Sequence, residues 1–326
     1  MNILISGGSG FLGSALSQLL NQERGTEVSI TWLSRDKSQS HPSYITMMSY
    51  EELSQTSVSY DVIVNLAGAG IADKRWTKTR KKELFDSRIL PTQSLLEYIG
   101  RIKHKPQLLI SGSAIGWYGA QGNKPLDESS QYHSNQANSN ANNSNANKED
   151  FAHQLCDSWE QMATSAIKDG VEVVLVRTGV VIHPSGGMLG RLIPAFKIGA
   201  GGQLGDGKQI MSWISREDWV RAVLFIINLH LPKPSDYRQI STEHNQLSIY
   251  NLTAPNPVNN ASFTKAVGSW LNRPTLMTLP TPVLKMMFGE MSTLLIDGQK
   301  VLPKALTEAG FEFDYSELSQ ALQYQK

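Results

Sequence analysis

The sequence predicts an α/β fold built on a doubly wound parallel sheet, and two features of the chain carry this prediction. Short apolar runs alternate with segments of helical periodicity through the first half of the chain, as in β-α-β units. These runs carry almost no charge, which is typical of strands covered by helices on both faces. The 326 residues, 40% of them hydrophobic, suffice for a large core and for about two domains.

The elements can be placed in order from the N-terminus. The first strand is predicted at Asn2–Ser6, and leucines then recur at helical spacing, at Leu12, Leu16, Leu19 and Leu20. Further strands are predicted from apolar and β-branched runs at Glu27–Leu33, Asp61–Leu66, Gln107–Ile110 and Glu172–Val176. Long helices are predicted over Asp150–Ile167 and over Trp76–Ile99, which Pro91 should interrupt or restart.

The alternation of apolar runs and helical segments ends after Arg177, and the predicted domain division is placed there. Residues 1–178 form the predicted N-terminal domain, and the glycine-rich stretch that follows has few strand signals. Residues 179–214 and 253–326 are assigned to a smaller C-terminal lobe on the substrate side, with a last helix at Ser316–Gln323. Residues 215–231 and 247–252 resemble a helix and a strand that return to the main sheet.

Composition excludes several classes of protein. Thirty Lys and Arg against 29 Asp and Glu give a net charge of +1, which argues against a nucleic-acid or anionic-membrane surface. The single cysteine excludes an intramolecular disulfide, and the seven scattered histidines show no metal-ligand spacing. The N-terminus lacks a signal-peptide pattern and no run of 18 apolar residues occurs, so a cytoplasmic protein is expected.

A glycine turn follows the first strand directly and opens the first helix. Gly7, Gly10 and Gly13 are spaced three apart, as in the Rossmann dinucleotide-binding turn. Gly7 makes the tight turn, Gly10 lets the backbone approach a pyrophosphate, and Gly13 permits close packing of helix on strand. Phe11 and Leu12 then occupy the helix N-terminus, whose free N–H groups attract phosphate.

The end of the second strand indicates which dinucleotide binds. Where an NAD enzyme carries an acidic residue, this chain has Ser34-Arg35-Asp36, with Arg35 lying 22 residues past Gly13. A guanidinium beside a hydroxyl suits a ribose 2′-phosphate, so NADP(H) is the predicted cofactor. Two alternatives stay open: Arg35 is a solvated surface residue, or Asp36 pairs with Arg35 or reaches the ribose itself.

A second element of the same site follows the strand Asp61–Leu66. The residues after it are small, and Leu66, Ala67 and Gly68 are expected to leave room for the cofactor at the strand's carboxyl end.

These segments and Ser111-Gly-Ser-Ala-Ile-Gly-Trp-Tyr-Gly119 resemble the extended short-chain dehydrogenase/reductase superfamily of NAD-dependent epimerases and dehydratases. More narrowly, the chain resembles the atypical subgroup named "epimerase family protein", sometimes labelled cell-division-inhibitor-like. The resemblance covers nearly the whole chain. Its more specific blocks are Asp150–Glu160, Val176–Val181, Met211–Asp218, Thr253–Pro257, Gly289–Met291 and Gly298–Pro303.

The resemblance implies a catalytic serine, tyrosine and lysine, and this chain departs from that pattern. When Glu160 is placed on the family's helix glutamate, Ala152 falls at the tyrosine position and Cys156 at the lysine position. The subgroup resemblance implies such a cysteine, together with an arginine that Arg88 fits.

The family's catalytic serine is retained in this chain as Ser113, with Ser111 as the alternative. Tyr118 is the nearest hydroxyl that could replace the missing acid, and the alternative is a packed loop aromatic.

Two functions follow as hypotheses. The first is an NADP(H)-dependent oxidoreductase or epimerase-like enzyme that acts on a small polar molecule without the usual tyrosine–lysine pair. The second is a non-catalytic protein that binds or senses NADP(H). Both predict a small-molecule ligand with no nucleic acid, membrane or metal, and the sequence leaves open whether the chain forms a homodimer.

The segment 131–148 differs in composition from the rest of the chain. It contains seven Asn and no aliphatic residue larger than Ala, so it is predicted to be a disordered surface insertion.

Deletion of Ser134–Asn147 tests this interpretation. Because the segment has almost nothing to contribute to a core, the melting temperature and NADPH affinity should change little. Differential scanning calorimetry and fluorescence titration measure both quantities. A large loss of either would show that the segment is an ordered part of the protein.

Overall fold

The computed structural model describes residues 1–133, 150–231 and 246–324. Its strands, numbered along the chain, are β1 Asn2–Ser6, β2 Ser29–Leu33, β3 Ile45–Met48, β4 Val62–Asn65, β5 Leu108–Ala114, β6 Gly122–Leu126, β7 Glu172–Thr178, β8 Val180–His183, β9 Gly202–Leu204, β10 Ile210–Met211, β11 Trp213–Ser215, β12 Leu247–Leu252, β13 Val258–Asn259, β14 Met277–Leu279 and β15 Gln299–Val301.

The helices follow the same numbering. They are α1 Phe11–Arg24, α2 Tyr50–Gln55, α3 Lys78–Arg101, α4 Phe151–Thr164, α5 Gly187–Lys197, α6 Arg216–His230, α7 Asn260–Leu271, α8 Thr281–Phe288, α9 Thr293–Ile296, α10 Lys304–Glu308 and α11 Leu318–Tyr324.

Seven strands form one sheet in the order β12-β7-β5-β4-β1-β2-β3, and every neighbouring pair is parallel. The order reverses direction at β1, where the chain crosses from β3 to β4. The doubly wound parallel sheet predicted from the sequence is therefore confirmed. In such sheets the carboxyl ends of the strands beside this reversal form the ligand crevice.

Alternation along each strand builds a core on both faces of the sheet. Ile3 and Ile5 of β1 face the cluster that includes α1 and α6, whereas Leu4 faces the cluster that includes α3. Each of these three side chains is completely buried. The uncharged strand runs in the sequence thus have a direct cause, because residues on both sides of a strand are covered.

The strand β12 lies beside β7 at one edge of the sheet, and α6 packs on α1. The remaining C-terminal elements form a separate apolar cluster around Phe196, Trp213, Phe263 and Leu322. Four short two-stranded pairings connect these elements to each other and to the sheet domain, among them β8 with β11 and β6 with β15.

Several sequence predictions about individual elements need correction. Pro91 does not interrupt α3, which continues through it, because Leu84, Leu95 and Ile99 are buried on both sides of the proline and hold the helix in place. β5 extends four residues beyond the predicted end at Ile110. β3 was not predicted at all, and β8 and β9 lie in the stretch where few strand signals were found.

Most of the predicted insertion 131–148 lies outside the described residues. Its first residues are described, and they contact the start of α4 and the loop before β6. The ring of Tyr132 stacks on that of His153 at a centroid distance of 3.5 Å, and the Gln131 carbonyl accepts a hydrogen bond from Gln121.

The described residues contain neither a candidate membrane span nor a candidate metal cluster. No helix there is long and apolar enough to cross a membrane. Nor does this part of the chain contain a cluster of three or more His, Cys, Asp or Glu side chains placed to hold a metal ion.

Candidate functional site

The glycine turn lies between β1 and α1 and needs two of its glycines for backbone reasons. Gly7 has a φ of +74°, and a Cβ atom there would lie 2.8 Å from the backbone of Leu66. A Cβ atom on Gly13 would collide with the Gly7 carbonyl. Gly10 is extended, with φ −76° and ψ 175°, so its lack of a side chain is not explained by backbone conformation.

The N-terminus of α1 is open to an anion. Gly10 is the N-cap residue and supplies no side-chain cap, so the first N–H groups of the helix have no partner within it. These groups and the positive end of the helix dipole suit a pyrophosphate. Leu12 packs at the edge of the main core.

Phe11 points toward the C-terminal lobe. Its ring centroid lies 6.0 Å from that of His183, and the guanidinium of Arg216 lies 5.4 Å above it. Burial, followed by the nearby charge of Arg216, lowers the pKa of His183. The glycine turn therefore contacts β8 and the start of α6 through Phe11.

Two exposed cations follow β2, and one of them, Lys37, is paired with Glu52. The Asp36 carboxylate accepts hydrogen bonds from the N–H and hydroxyl of Ser38, at 2.9 and 2.6 Å. The Ser34 hydroxyl donates to the Asp36 carbonyl at 2.8 Å. Asp36 therefore does not pair with Arg35, which is exposed and makes no hydrogen bond or ion pair to a described residue.

The loop after β4 makes room for Arg88 of α3. The guanidinium of Arg88 donates to the carbonyls of Leu84 and Ala69, at 3.1 and 3.2 Å. A Cβ atom on Gly68 would lie 3.0 Å from the guanidinium carbon, which is a physical reason for glycine at that position. Burial lowers the pKa of Arg88, although the group stays charged at any ordinary pH. Leu66 and Ala67 precede this contact and border the glycine turn through the Leu66 backbone.

A buried ion pair between Glu160 and Arg177 lies next to Ser113. The carboxylate of Glu160 accepts two hydrogen bonds from Arg177, from Nε to Oε1 and from Nη2 to Oε2, both at 2.8 Å. The Ser113 hydroxyl donates to Glu160 Oε1 at 2.6 Å. Burial acts to lower the pKa of Arg177, but the hydrogen bonds and charge of Glu160 outweigh it and raise that pKa.

The positions of the missing tyrosine and lysine lie beside this network. Ala152 is buried, and its Cβ lies 3.3 Å from where a Cβ atom of Gly116 would be. Cys156 is also buried and interacts electrostatically with Arg88 and Glu160. Burial, followed by the charge of Glu160, raises the pKa of the Cys156 thiol to about 12. The thiol is therefore neutral at pH 7 and is a poor nucleophile.

Ser111 and Tyr118 have different surroundings from Ser113. Ser111 is fully buried, and its Oγ lies 3.5 Å from the amide nitrogen of Asn65. Tyr118 is also fully buried, and its hydroxyl donates to Asn251 Oδ1 at 2.9 Å. Burial raises the pKa of Tyr118. These contacts are those of a packed loop aromatic and leave its hydroxyl engaged beside β12.

Arg177, Trp117 and Asn251 are parts of the site that the sequence reasoning did not single out. The guanidinium carbon of Arg177 lies 3.5 Å from the ring centroid of Trp117. The sequence held a signal for Arg177, because it directly follows the apolar run 173–176 of a buried strand and a charge in such a place needs a buried partner.

One cation of the glycine-rich stretch that follows Arg177 is held by neighbouring residues. Arg191 pairs with Asp73 and donates to the Ala72 carbonyl.

The fold and the glycine turn define a nucleotide-binding α/β protein of the doubly wound class. The model of the NAD dependent epimerase/dehydratase family matches residues 3–238, which is more than half of the chain. The chain therefore belongs to that family. A second model, described as a domain of unknown function (DUF1731), matches residues 279–325.

Relatives match over the whole length of the chain. "Epimerase family protein Mb2239" of Mycobacterium bovis is 38% identical, over 99% of this chain and 96% of its own. "Epimerase family protein SDR39U1 homolog, chloroplastic" of Arabidopsis thaliana is 34% identical, over 99% of this chain and 86% of its own. The named subgroup inferred from sequence motifs is thus confirmed.

Solved structures agree with this assignment. The crystal structure of human epimerase family protein SDR39U1 (isoform 2) with NADPH has a TM-score of 0.81 and 29% identity, covering 99% of this chain and 98% of the human one. UDP-glucuronic acid 4-epimerase from Bacillus cereus, solved with UDP-glucuronic acid and NAD, has a TM-score of 0.72 and 17% identity, covering 100% of this chain and 98% of that chain. At that identity the likeness shows the fold alone.

The variant Gly10→Val tests the glycine turn as the phosphate site. The backbone at Gly10 is extended, which valine adopts, although its Cβ would lie 3.1 Å from the Gly7 carbonyl oxygen, and the Cβ branches would occupy the space above the helix N-terminus. We expect loss of NADPH binding in a fluorescence titration, with a far-UV circular dichroism spectrum near that of the wild type. Gly100→Val is the control, because a Cβ atom at Gly100 meets open space. Normal NADPH binding by Gly10→Val would place the phosphate site elsewhere.

Proposed function

We propose that the protein is an NADP(H)-dependent oxidoreductase that acts on a small carbonyl or alcohol. The observation that carries the proposal is Arg35, an exposed guanidinium at the end of β2, with its acidic neighbour Asp36 engaged by Ser38. A 2′-phosphate offers that guanidinium the bidentate partner it prefers. The NADPH in the human relative supports the same cofactor.

The residues present fit a dinucleotide along the carboxyl edge of the sheet. The first turn of α1, with Gly10, Phe11 and Leu12, would hold the pyrophosphate. Ser34 and Arg35 would hold the adenosine end. The nicotinamide half would lie over the group formed by Leu66, Ala67, Gly68, Arg88, Ser113 and Cys156. When bound, the cofactor supplies a hydride.

Arg88 takes over part of the role of the missing lysine. In the wider superfamily a lysine on the helix that corresponds to α4 provides a fixed positive charge near the nicotinamide ribose. Here that position holds the neutral Cys156 thiol, and the charge of Arg88 on α3 is coupled to it. The cation therefore reaches the same region from the neighbouring helix.

Ser113 is the group we assign to the substrate oxygen. Its hydroxyl proton points to Glu160, so Oγ offers lone pairs and accepts a hydrogen bond from a substrate hydroxyl. The Cys156 thiol also lies within hydrogen-bond reach of Ser113, so one lone pair of Oγ is left for the substrate, and this arrangement recognises the alcohol form. Ala152 supplies no acid, and the Tyr118 hydroxyl is engaged with Asn251, so slow turnover on simple carbonyl substrates is expected.

The second candidate is a protein that binds or senses NADP(H) without turnover. It is favoured by Ala152 and Cys156 at the positions of the superfamily's acid and base. Retention of Ser113, held in one orientation by Glu160, favours the enzyme.

We also propose that the chain divides into a sheet domain and a substrate lobe, and the two separate apolar clusters support this division. A cytoplasmic location is a further proposal, supported by the near-zero net charge and the single cysteine.

Arg35→Ala tests cofactor choice. NADPH should bind the wild type more tightly than NADH, and the variant should lose most of that preference, because a charge-assisted phosphate contact contributes roughly 1.5–3 kcal/mol, or about one to two decades in affinity. Isothermal titration with both cofactors measures the ratio. Lys37→Ala is the control, since that ammonium is already paired with Glu52 and should leave the ratio unchanged. Equal affinities in the wild type would contradict the proposal.

Ser113→Ala separates the two candidate functions. If the protein is an enzyme, a metabolite screen followed at the nicotinamide absorbance should find a substrate whose kcat/KM falls about ten- to a hundredfold in the variant, which is about 1.4–2.7 kcal/mol of barrier. Ser111→Ala is the matched control and should stay within about threefold of the wild type. Turnover that survives both substitutions would place the chemistry elsewhere, and a screen without any turnover would favour the sensor.

A further inference from the structure

A cavity of about 120 Å³ lies between the sheet domain and the C-terminal lobe. One wall is Ile115, two residues beyond Ser113 at the end of β5, and Val180 of β8 adjoins it. The other walls come from α5, from α7, from the segment 202–212 and from the segment 294–299, which includes the end of α9. The cavity therefore borders the residues that follow β5 and β7 at the carboxyl edge of the sheet, the edge at which we place the reacting oxygen.

The lining of the cavity is mostly apolar. Its larger side chains include Met188, Leu192, Phe196, Phe263 and Leu294. Apolar walls of this kind gain free energy when they meet an apolar ligand group. For scale, an apolar cavity of about 150 Å³ binds benzene, so this somewhat smaller cavity encloses an apolar group no larger than about one benzene ring.

One buried polar atom in the lining has no partner. The Gln209 amide nitrogen donates to the carbonyls of Leu204 and Leu295, at 3.1 and 2.8 Å. These two bonds fix the orientation of the amide and leave Oε1 as the free end. Oε1 is buried without a hydrogen-bond partner among the described residues. Such an atom is costly unless a ligand or water donates to it.

The charges around the cavity disfavour a nucleoside diphosphate sugar. Among the described lining residues there is no Lys, Arg or His, and the one ionisable group is Asp297. A diphosphate needs cations or backbone N–H groups to replace its water, and a carboxylate repels it. The polar small molecule expected from the sequence therefore fits these walls less well than an apolar one.

We propose that this cavity is the substrate pocket and that it selects a substrate with a compact apolar group, of the size of a phenyl ring, that carries a hydrogen-bond donor. The apolar group lies between α5 and α7, and the donor, a hydroxyl or an amide N–H, binds Gln209 Oε1. The proposal rests on the oxidoreductase function proposed above, because it places the substrate beside Ser113.

Ligand binding to the NADPH-loaded protein tests the pocket without requiring turnover. The probes are benzyl alcohol, toluene and UDP-glucose, and saturation-transfer NMR titration gives their dissociation constants. Benzyl alcohol should bind about three- to tenfold more tightly than toluene, because only benzyl alcohol donates to Gln209. UDP-glucose should neither bind this site nor displace benzyl alcohol.

Three variants sharpen the test. Gln209→Leu should bring the toluene to benzyl alcohol ratio close to one, whereas Gln203→Leu, whose amide donates to the Gly205 carbonyl outside the pocket, should keep it. Leu192→Trp fills the cavity and should weaken both aromatic probes at least tenfold. Circular dichroism shows whether each variant is folded, and if Leu192→Trp is not, the Gln209 ratio alone decides.

The outcomes separate the pocket from the proposed function. Displacement of benzyl alcohol by UDP-glucose, or an unchanged ratio in Gln209→Leu, would overturn the pocket. Probe binding that follows Gln209 in a protein without turnover on any carbonyl or alcohol would support the pocket and refute the oxidoreductase. Turnover of a substrate whose KM is the same in Leu192→Trp would support the oxidoreductase and refute the pocket.

Discussion

The buried ion pair between Glu160 and Arg177 is the interaction on which the site depends. It joins α4 to β7 and, through the Ser113 hydroxyl, to β5. The side chains of Arg177 and Glu160 are 2% and 7% exposed, and loss of one partner from such a pair costs about 3–5 kcal/mol because the other charge stays buried. The ring of Trp117 stacks over Arg177, so the loop after β5 is fixed by the same charge.

This constraint explains how the site tolerates the loss of the superfamily's tyrosine and lysine. The ion pair orients Ser113 without using either residue, and Ala152 and Cys156 fill their places with small buried side chains. Arg88 then brings a cation toward the Cys156 position from α3, in space that Gly68 leaves open. The framework that we propose for the substrate oxygen is thus independent of the superfamily's tyrosine and lysine, the two positions at which this chain departs from the superfamily pattern.

The sequence predicted features that depend on local residue type. The glycine turn, the buried strands and the placing of Arg35 just after the second strand each follow from backbone sterics, apolar runs or charge within a short window. Contacts between residues far apart in the chain could not be predicted from the sequence in this way. β3 is an edge strand of four residues, α3 passes Pro91 because tertiary packing outweighs the missing hydrogen bond, and the partners of Arg177 lie 17 residues and more away in the chain.

Phe11 links the two halves of the proposed site. It is the first residue of α1, next to the open N–H groups, and its ring occupies the space that a Cβ atom on Gly186 would need. Gly186 is the N-cap of α5, and α5 lines the cavity with Met188 and Leu192. The helix α5 therefore begins beside Phe11 at the glycine turn and, further along, forms one wall of the proposed substrate pocket. The two contacts lie on one continuous element, because α5 starts directly after Gly186 and carries both cavity-lining side chains.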